Sequence, residues 1–198
     1  MSQQERSLWD ERFRSGDHAA QEPDPFLLQL EEYSELLPNN TAHSTSSPMP
    51  QALDIACGAG RNAVWLAERG WRVTGCDISR EGLRRARSLA AERGVSIELF
   101  CQDLDNAALN PNRFDLIVCF FYLQRKLFPA LKAALRPKGL VVYKTYTVDQ
   151  QRFPGRPRHP MHLLQPQELL EQFRGFRVLF YQEAVKGRGV AQIIAQKS

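Results

Sequence analysis

Three aspartates and a glycine turn are the residues whose types and spacing could do chemistry together. In "LDIACGAGRNAVWLAERG", Gly58, Gly60 and Ala63 spell G-x-G-x-x-A, a turn that brings backbone close to a dinucleotide pyrophosphate. Asp54 precedes that turn, and Cys57 sits directly before Gly58. A carboxylate there disfavours phosphates and welcomes an ammonium. Asp77 follows the glycines by about 20 residues, the spacing at which a carboxylate accepts from both ribose hydroxyls. Asp103, in "CQDLD", brings an acceptor to an adenine edge, or its neighbouring amide a donor. These acids suit a ligand with an adenosine end and a cationic amino-acid end.

The elements that must hold them follow from periodicity. Apolar strand-like runs occur at 51–56, 72–76, 96–101, 114–119 and 139–146, with helical stretches at 61–69, 80–93 and 124–136. Within 80–93, Leu83, Ala86, Leu89 and Ala90 line one face and Gly94 supplies the stop. Such alternation predicts an α/β fold with a parallel sheet covered on both faces. "FRVLFYQEAV", the turn "KGRG" and "VAQIIAQ" then read as a closing antiparallel hairpin. Ligands of open α/β sheets bind beyond the carboxyl ends of the strands, where these acids fall. Residues 1–37 read as an appended helical cap, with helices at 5–15 and 24–37 and with Trp9 and Phe13 turned inward. The polar stretch 38–50 reads as a flexible linker, and 51–198 as the ligand-binding domain.

Composition narrows the class. The 198 residues carry a net charge of +4, with 43% hydrophobic and 24% charged residues, ordinary for a globular protein. No apolar run reaches the roughly 20 residues of a membrane span, and the first residues lack an apolar signal region. A cytoplasmic protein is expected, with no membrane partner. The four cysteines, Cys57, Cys76, Cys101 and Cys119, have no C-x-x-C spacing and read as reduced, buried hydrophobes, so no metal is expected. Acids interleave most of the arginines, which argues against a nucleic-acid partner. One basic cluster stands apart, "RFPGRPRHPMH" at 152–162.

"LDIACGAGRNAVWLAERGWRVTGCDIS", "CQDLD" and "FDLIVCFFYLQRKLFPALKAALRPKGLVVYKTY" resemble the successive motifs of class I S-adenosylmethionine-dependent methyltransferases over roughly residues 50–198. With its leading "WDERF", the chain is similar to the tellurite-resistance and thiopurine-type small-molecule branch. The resemblance implies a three-layer Rossmann-like methyltransferase fold with a mostly parallel seven-stranded sheet. It implies S-adenosylmethionine as cofactor and S-adenosylhomocysteine as product. Asp54, Cys57, Gly58 and Gly60 would surround the methionine part, with Asp54 on the ammonium side, and Ala56, Arg61 and Asn62 would also bind the cofactor. Asp77 would take the ribose, Ile78 would pack on the adenine, and Asp103 and Leu104 would meet its amino edge. Cys119 and Phe120 would present carbonyls near the amino group and sulfonium. The leading helix would cap the cofactor, with Arg12 near its carboxylate. Ala56 stands where the family has glycine, tolerable if its backbone stays in the β region.

No residue declares itself a general base. Acceptor contacts are expected among Tyr122, Arg125, Tyr146, Arg152, Arg156, Arg158, His159 and His162, with the arginines selecting an anionic acceptor. A solvated basic loop is the competing reading of 152–162. An RNA or protein methyltransferase, and an idle nucleotide-binding regulator, remain alternatives to a small-molecule enzyme. An NAD-dependent oxidoreductase is disfavoured by Asp54, Asp103 and the terminal hairpin. Either a monomer or a homodimer suits the chain.

Overall fold

Seven strands form where apolar residues run or alternate: β1 (Gln51–Ile55), β2 (Arg72–Asp77), β3 (Glu98–Cys101), β4 (Phe114–Phe120), β5 (Leu135–Tyr146), β6 (Arg177–Ala184) and β7 (Val190–Gln196). The computed structural model describes residues 3–17, 20–38, 49–155 and 157–198; most of the expected linker, and Arg156, lie outside them. The sheet order is β3-β2-β1-β4-β5-β7-β6. β1, β2 and β3 pair in parallel, as do β4 and β5, while β7 runs antiparallel to both β5 and β6. The mostly parallel sheet with an antiparallel end hairpin matches the sequence reading. Residues 1–108 and 109–198 are two compact units.

The first unit carries α1 (Gln3–Arg14), α2 (Pro25–Leu28), α3 (Arg61–Glu68) and α4 (Arg80–Glu92). α4 begins where the Ser79 hydroxyl accepts from the Gly82 N–H at 2.9 Å. It ends at Gly94, whose φ of +69° suits a residue without a β-carbon. Leu89 and Ala90 on its buried face pack with Val64 of α3. Gly60 is required by this packing: a β-carbon there would sit 2.6 Å from that of Ala86. The N-terminal segment is no loose appendage, because Phe13, Phe26, Leu27 and Leu30 are all buried. Burying one such ring contributes about 2–3 kcal/mol. The helix expected over 24–37 becomes a single α-turn followed by a 3-10 stretch, Gln29–Leu36, interrupted at Tyr33. Leu27, Leu30, Tyr33 and Leu36 recur at the 3-10 period, so that winding keeps them on one side.

In the second unit, α5 (Phe128–Ala134) and α6 (Glu168–Gln172) flank the sheet. α5 stops short of the expected residue 136 because Arg136 precedes Pro137, which forces it out of the helical region. β5 therefore starts early: Phe114 pairs with Leu135 and Leu116 with Leu140, leaving 136–139 to bulge between them. Phe128, Tyr143 and Phe173 stack as a core cluster, with ring centroids 5.2 to 6.1 Å apart. No helix among the described residues is long and apolar enough to cross a membrane.

Candidate functional site

The turn after β1 is built by left-handed residues. Ala56, Gly58 and Gly60 have φ of 54°, 53° and 82°. Ala56 thus leaves the β region, contrary to the condition set on its methyl group. An L-residue there is strained by roughly 1 kcal/mol, because its β-carbon crowds the following carbonyl. Ala56→Gly should accordingly raise the melting temperature by about 2–3 °C, read by differential scanning fluorimetry.

Asp54 and Asp77 adjoin this turn, and Asp103 follows β3. Asp54 is 1% exposed, and its Oδ2 has no hydrogen-bond partner. Burial first, then the charge of Asp77, pushes its carboxyl up to about 8. Asp77, at the end of β2, accepts from the Gly58 N–H at 2.9 Å through one oxygen and from the Ser79 N–H at 2.8 Å through the other. Burial raises its pKa as well, against the pull of those amides. Each oxygen keeps a second lone pair, enough to accept from a diol. Asp103 caps a 3-10 turn by accepting from the Asp105 N–H at 3.0 Å. Ile78 and Leu104 are buried beside these acids in the chain.

Other expected residues are held by their own neighbours. Asn62 accepts from the Asp24 N–H at 2.9 Å, and Arg61 lies 3.6 Å from the Asp24 carboxylate, so both anchor the start of α2. Arg12 pairs with Asp17 at 3.1 Å and covers the Trp9 ring at 4.5 Å. Cys57 and Cys76 are buried thiols; burial drives Cys57 well above its ordinary value and Cys76 up to about 12. They are poor nucleophiles.

In α1 the sequence turns Phe13 inward without giving its partners, and it does not give the role of Asp10 at all. Asp10 accepts from the Ser79 hydroxyl at 2.6 Å and from the Glu81 N–H at 3.0 Å, capping α4 from outside. Phe13 lies against Gly58 and Gly82, where added β-carbons would meet its ring at 3.0 and 2.9 Å. Nothing local could reveal a cap reaching across 69 residues.

A buried, partnerless carboxylate oxygen fits an ammonium, and a carboxylate with lone pairs to spare at the end of β2 fits a ribose. Comparison with known proteins agrees. Residues 52–139 match the model of a methyltransferase domain. Over that segment the chain is similar to the class I S-adenosylmethionine-dependent methyltransferases. S-adenosylmethionine is the cofactor of that class.

A curated relative, the ubiquinone biosynthesis O-methyltransferase of Idiomarina loihiensis, is 33% identical over 101 residues, covering 48% of this chain and 42% of the relative. The chain therefore spans less than half the length of such relatives. Among solved structures, TehB from Haemophilus influenzae superposes with a TM-score of 0.70 at 18% identity, covering 96% of this chain and 67% of that one. An S-adenosylmethionine-dependent methyltransferase from Aquifex aeolicus gives 0.65 at 19% identity, covering 96% and 98%. Both share the fold.

The second unit holds the remaining expected residues. Cys119 and Phe120 close β4, and Tyr122 follows, its carbonyl accepting from the Tyr143 hydroxyl at 2.8 Å. Arg125 donates to both Glu168 oxygens at 2.6 and 2.9 Å and to the Met161 and Leu163 carbonyls, clasping the loop before α6. Arg152 pairs with Asp149 at 3.0 Å, and Arg158 donates to the Gln151 carbonyl at 2.8 Å. His159 accepts from the Met161 N–H through Nδ1 and lies 6.0 Å, ring to ring, from His162. Tyr146 stacks 5.0 Å from Phe121.

Proposed function

We propose that this chain transfers a methyl group from S-adenosylmethionine to a small-molecule acceptor that bears negative charge. The observation that carries the donor half is the buried Asp54 oxygen without a partner, close in sequence to a turn of left-handed residues. Bound there, the cofactor supplies a methyl group on a sulfonium, already a good leaving group. The protein's own work is then to hold and align. Asp54 would hold the ammonium, Asp77 the ribose hydroxyls, and Asp103 and Leu104 the adenine edge. Alignment and exclusion of water supply most of the rate in such a displacement. An acceptor already ionised at neutral pH needs no base.

Support for a small, anionic acceptor comes from the cationic loop 152–162, which follows β5, and from the small-molecule pathway in the curated relatives' name. Tyr122, Tyr146, Arg158 and His159 would contact that acceptor. Free, mostly buried cysteines suit the reducing cytoplasm.

Calorimetry with S-adenosylmethionine, S-adenosylhomocysteine and NAD tests the reading. Micromolar binding of the first two alone is expected, whereas tight NAD binding would overturn it. Binding without turnover across acceptor panels would instead mark an idle regulator, and steep salt dependence of RNA binding a nucleic-acid substrate.

A further inference from the structure

The carboxyl ends of β4 and β5 carry an arrangement that the loop arginines do not explain. Phe121, directly after β4, has a φ of 58°. A bulky side chain in the left-handed region is strained, and such strain concentrates where a fold holds a side chain for a ligand. The Phe121 N–H donates to the Lys144 carbonyl at 2.7 Å, which fixes the twist, and its ring rests against Tyr146. Two cations face that ring: the buried Lys144 ammonium at 5.4 Å and the exposed Arg188 guanidinium at 5.9 Å.

Arg188 belongs to the turn between β6 and β7, yet its backbone is not free to wander. The Gly189 N–H donates to the buried Gln150 side chain at 3.1 Å, and the Gly189 carbonyl accepts from Thr147 at 3.1 Å. Gly189 fits so closely that a β-carbon would lie 2.2 Å from the Gln150 nitrogen. The hairpin tip is therefore fastened to the end of β5, and it holds Arg188 over an aromatic ring. No acidic side chain pairs with Arg188 among the described residues.

We propose that Phe121, Tyr146 and Arg188 form the acceptor-recognition element, and that it selects a planar, aromatic acceptor carrying a carboxylate or comparable oxyanion. The ring of the acceptor stacks on the Phe121–Tyr146 pair, and its anion takes the guanidinium of Arg188 by charge-assisted hydrogen bonds. Arg188 is then a specificity-determining residue of the methyltransferase. This inference rests on the function proposed above.

The test uses 2-, 3- and 4-hydroxybenzoate, each against its neutral amide, titrated into the full chain saturated with S-adenosylhomocysteine. The wild type should bind at least one acid about ten-fold or more tightly than its amide. Arg188→Gln should reduce that preference to within about two-fold, while Arg188→Lys keeps most of it. Affinity for S-adenosylhomocysteine should stay unchanged in both variants. A wild type that ignores all three acids, or an Arg188→Gln variant that keeps the preference, overturns the inference. A wild type that does not bind S-adenosylhomocysteine overturns the methyltransferase reading itself, so the two failures are distinguishable.

Discussion

Asp54→Asn is expected to weaken S-adenosylhomocysteine binding by about 10- to 100-fold, the worth of a hydrogen bond to a charged group. The pH dependence is the sharper signature. In the free protein the Asp54 carboxyl titrates at about 8 rather than 3.8, so it is mostly protonated at neutral pH. A ligand ammonium calls for the ionised form. Affinity should therefore rise about tenfold per pH unit toward pH 8, and binding below it should release nearly one proton. At higher pH the ligand's own amino group loses its charge, and affinity falls again. Calorimetry at pH 6.5 in buffers of different ionisation heat reads the proton directly. Asp54→Asn should abolish both the release and the acid limb. Absence of proton release in the wild type would remove Asp54 from the ammonium.

The same residue shapes stability. Between pH 3.8 and about 8 the folded chain holds a proton on Asp54 that the unfolded chain has lost. A raised folded pKa gives stability that is full below the unfolded value and is lost as pH rises through the folded one. The free protein should therefore lose this contribution as pH climbs across that window, and Asp54→Asn should flatten the loss.

Asp77→Ala should be the most damaging single change at the cofactor turn. It leaves the Gly58 and Ser79 amides without their acceptor, at a cost of about 2 kcal/mol after relief of the buried charge. The melting temperature should fall by about 4–8 °C. Because the proposed ribose acceptor goes with it, S-adenosylhomocysteine affinity should drop about 100-fold or more. Thermal melts with and without the ligand separate the two effects. The wild type gains stability in proportion to the logarithm of ligand over Kd, and the variant should gain almost none at the same concentration. A variant with a full ligand-induced shift would assign Asp77 a purely structural role.

The fold was legible because strand alternation, glycine stops and the closing turn are all local signals. Helix ends and strand starts were less so. The run 136–139 reads as the tail of a helix, but Pro137 converts it into a bulge entering β5. α6 was not singled out, since five residues give too short a period to register. At the site, the acids could be read from spacing, whereas their partners could not. Asp10 reaches the start of α4, and Phe13 meets Gly58 and Gly82, only through tertiary packing. Ala56 shows the limit of residue type alone: the letter is compatible with a strand, and only the φ of 54° reveals a turn. Arg188 hides for a similar reason, as one cation of an ordinary hairpin until Gln150 fixes where it sits.

The uneven burial of the four cysteines has a practical use. Cys57, Cys76 and Cys119 are buried, while Cys101 is exposed, with its sulfur 3.4 Å from the Ile78 carbonyl next to Asp77. A maleimide dye should therefore couple at one position in the unaltered chain. That position adjoins the strand end that holds Asp77, so the emission of the label should follow occupancy of the turn in real time, without any engineered thiol.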